Sequence, residues 1–375
     1  MTAGPGPADD PSMQLNSTLA WLVDEAARTP TAELFLSGLG GRLIEDGAPL
    51  AGGALTLASP HPLIARRALL WRAGSGEVIE ALGFVAGGPW APDAAGEPGE
   101  SGRRWLAGLG PGPVHEDAIG PSADGPRLGW VGPRPFAPGE AARLSEAARF
   151  AMAPLAALGA RATLTAALEA YLGRRSAARV LAGPLRRGVG ETIEAALLFA
   201  DLRGFTGLSE SAPPSEVIAA LDAWFDRIAG AVHAFGGEVL KFIGDGVLAI
   251  FPVAGGSPRS ACDAALKAVA AARSGMAHLD ASRRREGLEP LPFGVALHLG
   301  AMLWGNIGAA DRLDFTAIGP AVNLVSRLQD LCRPLDRAVL VSGAFAAEAT
   351  EALAPLGEHA LRGVAAPCAV FTVAD

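Results

Sequence analysis

Cysteine is scarce and basic residues are outnumbered, and the two shortages exclude whole classes of protein. Cys262, Cys332 and Cys368 are odd in number and far apart, with no CxxC pair. Neither a disulfide framework nor a zinc site is indicated, and a reducing, cytoplasmic setting fits. Lysine and arginine total 31 against 39 acidic residues, a formal net charge of −8. A general binder of nucleic acid or anionic membrane carries a basic face, so neither is expected as a partner. Arg283-Arg284-Arg285, between Ser282 and Glu286, reads as a solvated helix end. A long apolar run is also missing: residues 47–65 are broken by Pro49, Gly52, Gly53, Pro60 and Pro62, so no membrane-spanning helix is expected. The N-terminus is acidic and proline-rich where a secretion signal would be basic and then apolar, and residues 1–14 are expected to be a disordered tail. His61, His115, His233, His278, His298 and His359 form no HExxH motif, and His298, within VALHLG, reads as a core residue. There is no G-x-S-x-G elbow and no GxxxxGK[ST] loop.

What is present is apolar bulk: 375 residues, 50% of them hydrophobic, enough for two domains and a connector. Apolar spacing predicts two helices across residues 15–41, divided at Thr29-Pro30-Thr31, then strands at 53–58, 68–72 and 78–85. Residues 86–129, rich in Gly, Pro, Asp and Glu, read as long loops. A helical run over 140–172 follows, which Pro154 should kink or divide. A basic connector leads to a sharper pattern: strand 195–199, helix 214–235, hairpin 238–251, helix 259–279 and strand 294–299. Strand 339–342 and short signals at 360–361 and 369–373 extend it. The expected class is α+β, with a ferredoxin-like split βαββαβ unit preceded by a smaller mixed α/β domain. The expected boundaries are tail 1–14, first domain 15–160, helical connector 161–193 and second domain 194–375.

Two acidic residues stand out. An apolar run of strand length ends in Asp201, and Gly244-Asp245-Gly246 is a hairpin-turn signature that places Asp245 at a tip. A single Asp at a strand end would ordinarily cap a helix. Two of them suggest a two-metal site for phosphate chemistry, since divalent cations can activate an attacking oxygen and neutralise a leaving phosphate. Asn323 and Arg327 lie four apart in a predicted helix and so share a face.

Three motifs, FADLRGFTGLSE at 199–210, GGEVLKFIGDG at 236–246 and LDFTAIGPAVNLVSRL at 313–328, together resemble the class III nucleotidyl cyclases, over about half of the chain. The resemblance implies that Asp201 and Asp245 bind two Mg2+ or Mn2+ ions per site, with the Leu202 carbonyl completing one coordination sphere. It implies that backbone amides around Phe205 and Thr206, after Gly204, cradle phosphates. Asn323 would orient the ribose, and Arg327 would stabilise charge on the α-phosphate. Lys241 and Thr316 match the purine-reading pair. The lysine resembles adenylate cyclases, and Thr316, in place of an aspartate, resembles a bacterial threonine-type subgroup. Arg337 and Arg362 match phosphate contacts only loosely and read as surface residues. The implied activity is ATP to cyclic AMP and pyrophosphate in a homodimer whose sites draw on both subunits. Guanylate cyclase activity, or a nucleotide-binding regulatory module without catalysis, are the alternatives; a GGDEF-type enzyme is disfavoured because no Glu-Phe follows Gly236-Gly237-Glu238. The segment FAPGEAARLSEAARFAMAPLAAL at 136–158 resembles the exit helix of GAF-type sensory domains, which would make the first domain an input module.

Overall fold

A computed structural model describes residues 16–58, 64–84, 99–122, 125–184, 186–253, 255–309, 311–364 and 366–374. The expected tail at 1–14, residue 85 of the third predicted strand and residues 86–98 of the predicted loop fall outside them. The chain divides into two compact units, Met1–Ala167 and Leu168–Asp375.

In the first unit, helix α1 (Ser17–Asp24) starts where the Asn16 side chain accepts from the Leu19 N–H at 2.8 Å. Helix α2 (Ala32–Glu45) starts on Thr31, whose hydroxyl accepts from the Leu34 N–H. Both are side-chain N-caps, and the break between the helices lies where Pro30 predicts it. The strands are β1 (Gly52–Ala58), β2 (Ile64–Arg72) and β3 (Val78–Phe84), followed by helix α3 (Glu100–Ala107) and strands β4 (His115–Ala118) and β5 (Arg127–Val131). They form an antiparallel sheet in the order β3-β2-β1-β5-β4. Trp71 and Trp130 meet edge-on at 6.2 Å in the core with Phe35, Leu39 and Leu128.

Reading 86–129 as loop is therefore wrong for its described part, which holds α3, β4 and β5. The glycines that suggested a loop serve close packing instead. A Cβ on Gly102 would sit 3.1 Å from the Ala54 Cβ, and one on Gly129 would sit 3.0 Å from Leu106 Cδ1. The helical run expected at 140–172 is divided at Ala151 into α4 (Pro138–Phe150) and α5 (Met152–Leu172), bent by 41°. Pro154 sits in the first turn of α5, where its missing N–H costs no bond and its ring excludes a continuous helix through Phe150. Among the described residues no single helix is long and apolar enough to cross a membrane, and the bent pair α4–α5 meets that measure only when both are taken together.

The second unit begins with helix α6 (Arg174–Ala182), strand β6 (Gly190–Leu202), and helices α7 (Phe205–Ser211) and α8 (Pro214–Ala234). Hairpin β7 (Glu238–Ile243) and β8 (Gly246–Pro252), helix α9 (Pro258–Arg285), and strands β9 (Phe293–Gly308) and β10 (Leu313–Ile318) follow. Helix α10 (Pro320–Asp330), strand β11 (Val339–Ser342), helix α11 (Gly343–Ala346) and strands β12 (Leu353–His359) and β13 (Cys368–Val373) complete it. The sheet runs β12-β13-β11-β9-β6-β8-β7, and β10 pairs with the distal half of β9. Its segment β9-β6-β8-β7 has the strand order of the ferredoxin-like split unit, so this part of the expected class holds. The strand signal at 369–373 is met by β13, while the one at 360–361 is corrected. Leu361 is buried without being in a strand, and β12 lies upstream at Leu353–His359, hidden from the pattern by Pro355, Gly357 and an irregular register between them.

Alternation along β6 splits the core into two layers. Ala196, Leu198 and Ala200 face α8 and α9 with Trp224, Ile228 and Val232. Ala195, Leu197 and Phe199 face the opposite layer, with Val325 and Leu328 of α10. Where β6 and β9 cross at their outer ends, Gly190 is paired with Gly305, and a Cβ on Gly305 would lie 2.3 Å from the Gly190 Cα. Backbone approaches this closely only with glycine on both strands. Gly305→Ala should therefore lower the stability of this unit by about 1–3 kcal/mol. The fall would appear in its denaturant midpoint; an unchanged midpoint would show that the crossing relaxes around the methyl group.

Candidate active site

Asp201 is the penultimate residue of β6, paired across β9 with Gly294. Asp245 lies in the tight turn between β7 and β8, where Ile243 pairs with Gly246. Gly244 takes φ 65°, a conformation that costs glycine little and that two-residue hairpin turns require. Because Ala200 pairs with Val247, the end of β6 lies beside the turn. A Cβ on Gly246 would be 3.3 Å from Asp201 Oδ1 and 3.1 Å from the Ile243 carbonyl, so its absence is what admits the carboxylate. The turn is fixed from below: Nε1 of the fully buried Trp224 donates to the Asp245 carbonyl at 2.9 Å.

These contacts crowd like charges. Burial, then the charge of Asp245, a hydrogen bond shared with it and the charge of Asp330 push the Asp201 carboxyl up to about 7. A divalent cation would remove that repulsion, and an oxygen-only donor set of two carboxylates suits Mg2+ or Mn2+. Among the described residues no group of three or more His, Cys, Asp or Glu side chains is placed to hold a metal. Further ligands must then come from backbone carbonyls such as that of Leu202, or from substrate and water.

Lys241 reaches the site through an irregularity. On β7, Val239 pairs with Ala249 but Lys241 pairs with Leu248, so Leu240 is an extra residue in the ladder. Ala249 belongs to the α8/α9 layer and Leu248 to the α10 layer. The bulge thus moves Lys241 off the helix-covered face onto the face that carries Leu248, Phe199 and Asp201. There its ammonium is ion-paired with Asp314 of β10. Thr316 lies two residues along the same strand, hence on the same side as Asp314.

Asn323 and Arg327 are both exposed on α10, opposite the buried Ala321, Val325 and Leu328. Arg327 Nη1 lies 3.4 Å from Asp330 Oδ2. Gly204, at φ 78°, turns the chain from β6 into α7, so that Phe205 and Thr206 open that helix. Asp314, Asp330 and Trp224 were not anticipated as parts of the site. Alternation from Thr316 points to Asp314, and helical spacing from Arg327 points to Asp330. No local pattern marks Trp224 as part of the site. His298 is buried against the Ser342 hydroxyl at 2.8 Å, and burial pushes its imidazole down to about 4, as befits a core histidine. Arg337 and Arg362 are exposed.

Residues 189–354 match the model of the family described as the adenylate and guanylate cyclase catalytic domain. Over 182 residues the chain is 30% identical to adenylate cyclase 1 of Rhizobium meliloti, covering 48% of this chain and 27% of that protein. Over 155 residues it is 30% identical to an adenylate cyclase of Anabaena cylindrica, covering 41% of this chain and 30% of that one. The chain thus spans less than a third of the length of these relatives. Among solved structures, the adenylyl cyclase CyaB of P. aeruginosa is 27% identical with a TM-score of 0.46, covering 50% of this chain and 96% of that one.

The raised Asp201 carboxyl has a measurable sign. Between the ordinary value of 3.8 and about 7, the folded metal-free protein holds a proton that the unfolded chain releases. Stability therefore falls as pH rises through that interval. The melting temperature of wild type relative to Asp201→Asn should decline from pH 4 to pH 7 in chelator, and Mn2+ at pH 8 should raise it for wild type far more than for the variant. A difference that is flat with pH would rule out the crowded carboxylate pair.

Proposed function

We propose that residues 189–354, which match the adenylate and guanylate cyclase catalytic domain, form a class III nucleotidyl cyclase domain that converts ATP to 3′,5′-cyclic AMP and pyrophosphate at sites shared between two copies of the chain. The observation that carries this reading is the meeting of Asp201 and Asp245 at the end of β6. In the reaction the ribose 3′-oxygen attacks the α-phosphorus, the bond to the β-phosphate oxygen breaks, and pyrophosphate departs.

Asp201, Asp245 and the Leu202 carbonyl would hold the two Mg2+ or Mn2+ ions. Bound there, divalent cations would acidify the 3′-hydroxyl and neutralise the departing phosphates. The chain's own residues do the rest. Amides of Phe205 and Thr206, freed by the turn at Gly204, hold phosphate oxygens. Asn323 orients the ribose, and Arg327 presents a planar, permanently charged fork to charge developing on the α-phosphate.

Base choice follows from donor and acceptor chemistry. A lysine only donates, so Lys241 suits the ring acceptor N1 of adenine and opposes the N1–H of guanine. Asp314 holds that ammonium in place. The Thr316 hydroxyl can accept from the adenine amino group but could equally donate to the guanine oxygen, so Lys241 carries the selectivity. Guanylate cyclase activity is the second reading, favoured by that ambivalent hydroxyl.

The shared site rests on Lys241 and Asp245 belonging to one hairpin while serving different nucleotides. Ile243 and Ile318, 50% and 41% exposed, are apolar surface on the strands that carry Lys241 and Thr316, suited to burial against a second copy. We assign the first unit, a helix-flanked antiparallel sheet, to GAF-like sensing, with α5 and α6 as the connector. The Ser176 N–H and hydroxyl donate to the buried Glu238 carboxylate at 3.0 and 3.2 Å, tying α6 to the first residue of β7. The proposal places the protein in the cytoplasm, where ATP is available and three free thiols persist.

Purified protein with Mn2+ should form cyclic AMP from ATP faster than cyclic GMP from GTP; equal or faster turnover of GTP would overturn the base assignment. Asp201→Ala, Asp245→Ala and Arg327→Ala should each lose at least about a hundredfold, roughly 2.7 kcal/mol of transition-state stabilisation. Mixing Asp201→Ala with Arg327→Ala puts both lesions in one site of the heterodimer and leaves the other whole. Activity should return toward a quarter of wild type under random exchange, because about half the dimers hold one good site of two. No recovery, with subunit exchange demonstrated by tags, would mean that each site is built within one chain.

A further inference from the structure

A cleft of about 240 Å3 opens beside the loop that follows Asp201. Arg203 and Arg283 line it, together with the apolar Leu202, Phe205, Leu208 and Leu291. Arg283, at the end of α9, is only 6% exposed. Its Nε donates to the Glu289 carbonyl at 2.7 Å, while its Nη2 is buried with no partner. Arg203 is held the same way: Nη2 donates to the carbonyls of Cys332 and Arg337 at 3.0 and 2.6 Å, and its buried Nε has no partner. Buried polar groups are almost always hydrogen-bonded. Here two guanidinium groups on the lining of one small cleft are each anchored by backbone carbonyls, and each keeps one buried N–H without a partner. The phosphate-cradling amides, the metal carboxylates and the purine-reading residues leave both arginines without a task.

Each property of the cleft narrows what it would hold. Two guanidinium groups call for an anion, and planar forks match a carboxylate best. Glu289, also on the lining, and the exposed Asp336, whose Oδ1 lies 3.8 Å from Arg203 Nη1, set negative charge beside the two positive groups and disfavour a polyanion such as a triphosphate. The apolar walls call for a hydrocarbon body. At about 30 Å3 per water-sized group, the volume admits on the order of eight non-hydrogen atoms. We propose that this cleft, which shares Leu202, Gly204 and Phe205 with the loop assigned to metal and phosphates, binds a small organic monocarboxylate beside the nucleotide. Its carboxylate bridges the end of α9 to Arg203, fixing the loop that runs from Asp201 into α7, and occupancy raises turnover. The effect on turnover rests on the cyclase reading above; the binding does not.

Isothermal titration of the full chain with benzoate and butyrate, against benzamide and inorganic phosphate, tests this. Benzoate should bind wild type and Asp201→Ala with equal affinity. Binding should weaken at least tenfold in Arg283→Gln, in Ser211→Trp, which fills the cleft from an exposed edge position, and for the neutral benzamide. No saturable binding of either carboxylate at concentrations on the order of ten millimolar overturns the site. So does undiminished binding to Ser211→Trp, a variant that leaves the buried arginines in place. Tighter binding of inorganic phosphate than of either carboxylate overturns the choice of ligand. Saturating benzoate should raise cyclic nucleotide formation at least twofold in wild type and leave Ser211→Trp unmoved; binding without that change overturns the regulatory half. Binding by a wild-type chain that makes no cyclic nucleotide at all counts against the catalytic reading alone.

Discussion

Two carboxylates held side by side repel, and the second unit is organised around keeping Asp201 and Asp245 together despite it. At an effective dielectric constant near 20, two unit charges 4 Å apart cost about 4 kcal/mol, a large part of the stability of a typical domain. The chain withstands this because neither residue sits on a free loop. Asp201 ends a strand paired on both sides, by β8 and β9. Asp245 occupies a turn with a single short path between paired strands, pinned through its carbonyl by a tryptophan that cannot move without opening the core. The readiness of Asp201 to hold a proton reflects first its burial and then the charge of Asp245.

How much of this was legible in the chain alone depends on how far each contact reaches. The βαββαβ order follows from local periodicity and holds; the placement of Asp201 near a strand end, of Asp245 in a turn and of Asn323 and Arg327 on one exposed face follows from the same periodicity and turn chemistry. The partnership of Lys241 with Asp314 does not follow, because it joins two strands that are not neighbours in the sheet order. The first unit was the harder text. Gly40, Gly53, Gly102 and Gly129 lie under rings and methyl groups where a side chain would not fit, so residues that signal loops in composition are packing residues in the fold. The misplacement of β12 has the same origin, since Pro355 and Gly357 mask an edge strand.

The two sides of the second unit have different physical characters. The layer under α8 and α9 is closed, with alanines of α9 letting the helix lie close to the sheet. The opposite side is covered by α10 across β6, β9 and β11. The candidate site residues Lys241, Thr316, Asn323 and Arg327 lie where burial is incomplete. Trp224 connects the two, a core residue on one side whose single donor sets a turn on the other.

The extra residue at Leu240 gives the hairpin a parity. From the turn back to Lys241 the strand alternates in one phase, and from Val239 toward its start it alternates in the other. Point substitutions leave that phase intact, whereas losing or gaining one residue between Lys241 and the turn would exchange the faces of that part of the strand and carry Lys241 into the closed layer. Over the history of such a chain, this short strand should tolerate changes of side chain far better than changes of length.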